Sequence, residues 1–200
     1  MSPRPRTVDD AAVAMAFTRV IARLGPSRLT LAAIAREAGL SPATLIQRYG
    51  SKDRLLVELS KGAGDLGSLV ASLRAAGRTP LDIVREMLRC FAMMAPSPQA
   101  LTNSFAAYLE IDLAHATLRR YVVESTTRNL ALMAALLAEA ERAGAIRCPD
   151  PDAVARVLHS TAVGSLLAWA AFRKGRAADW LDRDLDAALR LLEPGRRGKH

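Results

Sequence analysis

Apolar residues recur every three or four positions through most of the chain, which is the spacing of α-helices with one buried face. The first such stripe runs from Val13 to Leu24, and the pair Gly25 and Pro26 stops it. No segment shows the alternation of a half-buried strand, and no internal repeat is present. The pattern predicts an all-α protein, with a three-helix amino-terminal head followed by a six-helix body.

The segment 29–53 has the signature of two short helices joined by a glycine turn. Thr30 and Ser41 are residues that cap helix amino termini, and Pro42 occupies a first helical position, where its missing N–H costs nothing. Gly39 supplies the left-handed backbone conformation that ends a helix. Two helices that cross at such a turn form a helix-turn-helix, whose second helix fits the major groove of DNA. The segment therefore predicts a DNA-binding regulator.

The head needs a small core of its own, and its apolar stripes indicate which residues form it. We expect this core to contain Phe17, Ile21, Ile34, Leu40 and Leu45. Tyr49 follows Leu45 by four residues, so it should face the same core.

The opposite side of helix 41–49 carries side chains that suit DNA. Arginine binds guanine bidentately, glutamine binds adenine, and the methyl groups of alanine and threonine contact thymine. Thr30, Thr44 and Lys52 are placed for phosphate contacts, aided by the dipoles of helices that begin at Thr30, Ser41 and Ser51. The candidate DNA-binding residues are Thr30, Ser41, Pro42, Ala43, Thr44, Gln47, Arg48, Tyr49 and Lys52.

The distribution of charge supports an anionic partner for the head. The chain has 28 Lys and Arg against 20 Asp and Glu, a formal net charge of +8. Residues 1–56 hold nine of the basic and four of the acidic residues, a net charge of +5, whereas residues 57–200 carry only +3. The excess is therefore concentrated around the helix-turn-helix, as expected for a DNA-binding segment.

Several features favour a cytoplasmic protein. Cys90 and Cys148 are the only cysteines, so no disulfide framework is expected. The amino terminus lacks the apolar stretch of a signal peptide, and no run approaches 18 apolar residues. We therefore expect neither secretion nor a membrane span.

The predicted domains are a DNA-binding head at 1–50, a ligand-binding and dimerisation body at 51–193, and a disordered basic tail at 194–200. A fourth helix opens at Ser51. Gly62, Gly64 and Gly67 fall in its middle, and each costs about 1 kcal/mol relative to alanine. This helix is predicted to be a weakened or kinked connector.

Apolar residues of the body are candidates to line a ligand cavity among the fourth to seventh helices. The candidate lining residues are Phe91, Met94, Phe105, Tyr108, Met133 and Trp169. Methionine and aromatic residues at helical spacing are also typical of plain core packing. His115 and His159 have no companion at metal-ligand spacing, so neither a metal site nor a cofactor is predicted.

The head resembles the TetR family of bacterial transcriptional regulators. The resemblance covers residues 7–59 and rests on three blocks of sequence: T-L-x-x-I-A-x-x-A-G-L-S at 30–41, T-L at 44–45, and G-S-K-D-x-L at 50–55. It implies an all-helical homodimer with a ligand-sensing body, usually a repressor. It also implies phosphate contacts at Thr30, Thr44 and Lys52, and base contacts at Pro42, Ala43, Gln47 and Arg48.

The resemblance has one departure and one further implication. The family usually has Tyr- or His-type aromatics where this chain has Ile46 and Arg48, so the aromatic phosphate contact at position 46 is missing. In the family, the last two helices form a four-helix dimer interface. The small residues that would let a partner helix approach are Ala162, Gly164, Ser165 and Ala168.

The favoured function is a ligand-responsive, homodimeric transcriptional regulator, most simply a repressor released from a palindromic operator by a small hydrophobic effector. Its partners would be double-stranded DNA, a second copy of the chain and that effector. A helical enzyme is the first alternative, but the sequence shows no nucleophile–base pattern, paired carboxylates or phosphate loop, so no catalytic residue is proposed. The second alternative is a non-DNA-binding sensor or partner-binding module on the same fold, which the missing aromatic at Ile46 would suit.

Overall fold

A computed structural model describes residues 9–61, 63–93 and 96–193, and within these residues the regular structure is helical with no strand. The α-helices are α1 (Asp10–Leu24), α2 (Leu31–Ala38), α3 (Pro42–Tyr49), α4 (Lys52–Ser60), α5 (Gly67–Ala75), α6 (Pro80–Met93), α7 (Pro98–Ala107), α8 (Ala116–Arg142), α9 (Pro151–Phe172) and α10 (Ala177–Arg190). A 3₁₀ turn, Pro26–Arg28, precedes α2, and a π-helical turn, Tyr108–Asp112, follows α7. The all-α prediction is confirmed.

The chain divides into two compact units. Unit one contains the described residues up to Ala63 together with Thr102–Val123, and unit two contains Gly64–Leu101 and the described residues from Glu124 onward. Unit one therefore groups α4 and the segment 102–123 with the three helices of the predicted head. The functional boundary at residue 50 stays a prediction.

The core of unit one draws on both of its chain segments. Ile21, Ile34 and Leu45 are buried as predicted, and Phe17 and Leu40 are partly buried against them. The remaining buried members of this core are Val13, Val20, Leu29, Ala35, Leu55, Leu56, Ala107 and Leu118. The last two belong to the segment 102–123, so a core predicted for three helices alone was too small.

Asn103 adds a polar connection inside unit one. Its amide nitrogen Nδ2 donates a hydrogen bond of 2.9 Å to the carbonyl oxygen of Ala22. Ala22 lies in the last turn of α1, where carbonyl groups lack partners within the helix. The side chain from α7 therefore completes the end of α1.

Unit two has a separate core, to which α5, α6, α8, α9 and α10 contribute buried apolar residues. Charged pairs join two of these helices: Arg89 of α6 binds both carboxylate oxygens of Asp182 on α10, at 2.7 and 3.0 Å. Arg85 of α6 likewise pairs with Asp186 of α10. The bidentate geometry is the strong form of an arginine–carboxylate contact.

The predicted fourth helix is two helices. α4 ends at Ser60 and α5 begins at Gly67, because Gly64 has a φ of +72°, a left-handed conformation that interrupts an α-helix. Asn129 of α8 holds the break: its Nδ2 donates to the Gly64 carbonyl at 2.6 Å, and its Oδ1 accepts from the Leu66 N–H at 3.2 Å. Gly62 and the predicted tail at 194–200 lie outside the described residues.

Helix α9 differs from expectation in its hydropathy. By length and composition alone it could cross a membrane, with a mean hydropathy of 1.2 over 18 residues. Isolated polar residues interrupt its Ala-, Val- and Leu-rich sequence, so it contains no continuous apolar run of that length. One third of that window is buried, and core helices of water-soluble proteins pass the same test.

Candidate nucleic-acid interface

The helices α2, α3 and α4 of unit one each have a capped amino terminus. The hydroxyl of Thr30 accepts a hydrogen bond from the Ala33 N–H at 3.1 Å and caps α2. Ser41 caps α3 by accepting from the Thr44 N–H at 3.1 Å, and Ser51 caps α4 by accepting from Arg54. Each cap fixes the start of a helix whose dipole is positive at that end, so each favours a nearby anion.

The turn between α2 and α3 has the geometry that the sequence predicted. Gly39 has φ +70° and ψ +29°, the left-handed conformation, and its N–H bonds the last turn of α2. The Leu40 N–H donates to the Ala35 carbonyl at 2.8 Å, which closes the turn. Ser41 then starts α3 in an extended conformation.

The outer surface of α3 is accessible. Leu45 is fully buried and Tyr49 packs partly against the core, so the opposite side of the helix faces outward. The exposed residues of this segment are Ser41, Pro42, Ala43, Thr44, Ile46, Gln47 and Arg48. At about 100° per residue, Ala43 and Gln47 lie near the centre of that outer side. The hydroxyl groups of Ser41 and Thr44 are 2.8 Å apart.

Arg48 and Tyr49 share one carboxylate of α1. The Arg48 guanidinium is 2.8 Å from Oδ1 of Asp10, and the Tyr49 hydroxyl donates to the same oxygen. The guanidinium carbon also lies 5.4 Å from the centre of the Tyr49 ring. Burial raises the pKa of Tyr49 to about 12, with a further contribution from its hydrogen bond to Asp10. The sequence offered Arg48 as a base contact, but this geometry directs it towards α1.

Lys52, the first residue of α4, contacts the backbone beside α2. Its Nζ donates to the Leu29 carbonyl at 2.9 Å, next to the capping residue Thr30. An ammonium group has three donors, so two remain for a phosphate. The lysine therefore links the starts of α2 and α4 while keeping its capacity to bind an anion.

The arginines of unit one fall into two groups. Arg19 and Arg23 bind Glu37 at 2.7 and 3.0 Å, and the Arg19 hydrogen bond is the main cause of a lowered pKa at Glu37. Within residues 9–61 of this unit, four cations have no carboxylate partner. They are Arg28, Arg36, Lys52 and Arg54.

The candidate ligand residues are divided between the two units. Phe105 and Tyr108 belong to unit one, with ring centres 6.3 Å apart. Phe91, Met133 and Trp169 belong to unit two and its apolar interior. Phe91 meets His159 edge-on at 5.4 Å, and Trp169 donates to the Gly175 carbonyl at 3.1 Å. Met94 lies outside the described residues.

Among the described residues, no group of three or more His, Cys, Asp or Glu side chains could hold a metal ion. Burial lowers the pKa of His159.

Comparison with known proteins places this geometry in a family. Residues 16–59 match the sequence profile of the bacterial regulatory proteins of the tetR family. The HTH-type transcriptional regulator BetI of Rhizobium meliloti (strain 1021) is 31% identical over 155 residues, which cover 75% of this chain and 68% of BetI. The chain belongs to the TetR family. Regulators of this family bind DNA and are not enzymes. The match of residues 16–59 to the family confirms the predicted helix-turn-helix.

Solved TetR-family structures share the whole fold. FadR of Bacillus subtilis, solved in complex with stearoyl-CoA, superposes with a TM-score of 0.66 at 17% identity, over 90% of this chain and 98% of FadR. FadR of Thermus thermophilus, a repressor solved with lauroyl-CoA, gives 0.57 at 24% identity, over 90% of this chain and 93% of that protein. The TetR-type architecture therefore extends beyond the helix-turn-helix.

Two features of the interface were missed from the sequence. Nothing in the sequence indicates that Asp10 of α1 contacts α3, although it binds both Arg48 and Tyr49. Ile46 was noted only as a departure from the family, although its side chain is exposed on α3. An acidic residue at the start of α1 gives no local signal of its contact with α3, whereas the exposure of Ile46 follows from helical spacing.

Proposed function

We propose that this TetR-family regulator is a cytoplasmic, homodimeric repressor that leaves a palindromic operator when a small hydrophobic effector binds. The observation that carries this proposal is the exposed outer side of α3, flanked by capped helix termini and by cations without carboxylate partners in the described structure. Such a surface matches the phosphates and base edges of a duplex.

The proposed DNA contacts follow from the positions of these groups. Thr30, Thr44 and Lys52 are assigned to phosphates, because the first caps α2, the second lies in the first turn of α3 and the third begins α4. Gln47 and Ala43 are assigned to base edges, because they lie at the centre of the outer side of α3. Ser41, Pro42 and Tyr49 serve the placement of that helix, and Arg48 acts through its pair with Asp10.

The homodimer is supported by one side of α9. Exposed residues recur there at intervals of three and four, and they are Val157, Ser160, Gly164, Leu167 and Ala171. Val157 is 59% exposed and Leu167 is 45% exposed, while a Cβ at Gly164 would meet nothing within 4 Å. This apolar, partly small surface suits a helix from a second copy. Two copies related by symmetry would set two α3 helices about 34–36 Å apart, one turn of DNA.

Two of the small residues predicted for that interface are not on the exposed side of α9. Ala162 and Ser165 are buried within the chain, and the Ser165 hydroxyl donates to Asp184 at 2.5 Å. They pack α9 against α10, whereas Gly164 remains on the outer side. Gly164 is exposed whereas Ala162 and Ser165 are buried, and the sequence pattern could not separate these two sides of α9.

The proposed effector is an apolar small molecule. The interior of unit two is aliphatic and aromatic, and the two FadR structures named above were solved with acyl-CoA thioesters. Stearoyl-CoA and lauroyl-CoA are therefore the first compounds to test. Release of DNA by a long-chain thioester but not by free CoA would support a hydrophobic effector.

A gel-shift titration with the DNA upstream of the gene tests the central claim. Binding should weaken steeply as salt rises, because phosphate contacts release counterions. Gln47→Ala should lose about 1–3 kcal/mol of specific binding, as expected for one base contact. No binding at low salt would refute the proposal, and an affinity independent of salt would favour a sensor that does not bind DNA.

Sedimentation of the purified protein tests the homodimer. Leu167→Glu should convert the dimer to a monomer, because it places a charge in the centre of the proposed contact. Leu191→Glu is the matched control, since Leu191 is 87% exposed and lies beyond the end of α10. A wild-type monomer, or equal dissociation in both variants, would contradict the assignment to α9.

A further inference from the structure

Ile46 is an exposed, branched apolar side chain on the helix proposed to meet DNA. Its exposure is 51%, and it belongs neither to the buried core of unit one nor to the partly buried residues packed against that core. It follows Pro42 by four residues and Ala43 by three, so these side chains share one side of α3. Gln47 is its neighbour towards the centre of the outer surface.

Arg48 lies on the other side of this surface. Its guanidinium is bound to Asp10 and lies against the Tyr49 ring. The cation of α3 is therefore directed to α1, and the groups left on the Pro42 side are apolar: a proline ring, a methyl group and the branched side chain of Ile46.

Base edges in the major groove offer one apolar group, the C5 methyl of thymine. Isoleucine has no donor or acceptor, so it cannot bind a phosphate or the polar atoms of a base. Because Ile46 is continuous with the surface formed by Ala43 and Gln47, a thymine methyl is the complementary partner within the groove.

We infer that Ile46 is a specificity residue that packs against the C5 methyl of a thymine in each operator half-site. This inference rests on the proposed entry of α3 into the major groove. Gln47 beside it is suited to adenine, so the part of the half-site that α3 contacts should contain A·T base pairs. Burial of one methyl-sized group corresponds to about a fourfold change in affinity.

Replacement of thymine by deoxyuracil tests the inference directly, because it removes only the C5 methyl. The probe is a duplex selected by the wild-type protein from a randomised library, with each thymine of one half-site replaced in turn. At one position, wild-type binding should weaken about fourfold. Ile46→Ala should weaken binding to the thymine duplex by a similar factor and should be insensitive to uracil at that position.

Two control variants complete the experiment. Met15→Ala removes another exposed apolar side chain of unit one, and it should keep the wild-type affinity and the uracil effect. Ile46→Val retains a branched side chain and should keep part of the uracil effect. Circular dichroism melts of all the variants should match the wild type, because neither Met15 nor Ile46 is part of the core.

The outcomes separate this inference from the proposed function. If the wild type selects a duplex but the uracil effect persists in Ile46→Ala, the inference is wrong, although the regulator still binds DNA. If the wild type selects no duplex, both the inference and the proposed function fail. A uracil effect that disappears in Ile46→Ala and persists in Met15→Ala establishes the contact.

Discussion

The contact between α6 and α10 in unit two and the amino-terminal segment of unit one use their charged side chains in different ways. In unit two, Arg85 and Arg89 of α6 are matched by Asp186 and Asp182 of α10, so these cations join two helices. In the amino-terminal segment of unit one, four cations have no carboxylate partner among the described residues, and they are Arg28, Arg36, Lys52 and Arg54. A paired cation is already satisfied within the fold, whereas an unpaired one gains most from an external anion.

Unit one also contains a carboxylate without a cation. Asp112, the last residue of the π-helical turn, has no ion-pair partner in the described structure. Burial raises its pKa to about 6. Asp112 is therefore a buried charge without an ion pair, and its effect can be compared with those of the paired and unpaired cations by removing each group in turn.

The largest effect on stability is expected from Asp112→Asn. A buried carboxyl with a raised pKa favours the folded state only while it is protonated. The contribution of Asp112 to the free energy of unfolding is therefore complete below about pH 4 and is lost as the pH rises through about 6. At pH 7.5 the neutral amide should therefore stabilise unit one by roughly 2 kcal/mol. Urea unfolding followed by circular dichroism between pH 4 and 7.5 measures the difference.

Glu110→Gln is the control for that measurement. Glu110 lies in the same π-helical turn and is exposed, so its substitution should change stability by less than about 0.5 kcal/mol. Equal effects of the two substitutions would show that burial of Asp112 is not the cause.

The next effect concerns DNA affinity. Lys52→Ala should weaken binding to all duplex sequences and reduce the slope of log K against log salt by about 0.9, the value for one phosphate contact. Lys61→Ala is the matched control on the same segment, because Lys61 is paired with Glu58 at 2.7 Å. If the two variants change the salt slope equally, the distinction between paired and unpaired cations does not hold in unit one.

A smaller effect is expected when a paired cation of unit two is removed. The neighbouring carboxylates, Asp182 first and Glu86 second, raise the pKa of Arg89 above its usual range. Because the pair is partly exposed, Arg89→Ala should destabilise by only about 0.5–1 kcal/mol. Tryptophan fluorescence during urea unfolding reports on this unit, since Trp169 and Trp180 both belong to it.

The control for Arg89 is Arg147→Ala, which removes an exposed arginine of unit two without an ion pair in the described residues. Its effect on stability should stay below about 0.5 kcal/mol. Neither variant should alter the salt dependence of DNA binding. A changed salt slope in Arg89→Ala would remove the contrast between these two regions.

The smallest effect concerns Tyr49, which shares the carboxylate of Asp10 with Arg48. Tyr49→Phe removes the hydroxyl bound to Asp10 and should cost about 0.5 kcal/mol at pH 8. The pKa of Tyr49 is raised to about 12, so this contribution is present below pH 10 and is lost as pH rises towards 12. Between pH 8 and 11.5 the wild type should lose stability relative to Tyr49→Phe, so that the difference shrinks and then reverses; a constant difference would contradict the raised pKa of Tyr49.

The parts of the fold that follow from neighbouring residues could be predicted from the sequence. Thr30 and Ser41 bond to residues three positions away, and Gly39 adopts its conformation within a single turn. The break after α4 could not be placed in this way. It depends on Asn129, which contacts Gly64 and Leu66 from more than 60 residues away.

The same distinction applies to the candidate interface. Helical spacing correctly places Leu45 inside and Gln47 outside, because both depend only on the period of α3. The direction of Arg48 depends on Asp10, 38 residues earlier, so no pattern within 41–49 could reveal it. The DNA contacts themselves remain predictions.

The participation of Asn103, Ala107 and Leu118 in unit one has a practical consequence for domain exchange. A fragment that stops at Ala63 would uncover the apolar surface around Leu55 and leave the last turn of α1 without its amide donor. Chimaeras that transplant only the amino-terminal helices onto another regulator should therefore be prone to aggregation. Transfer of operator preference between relatives is better attempted by grafting the outer side chains of α3 than by exchanging whole segments.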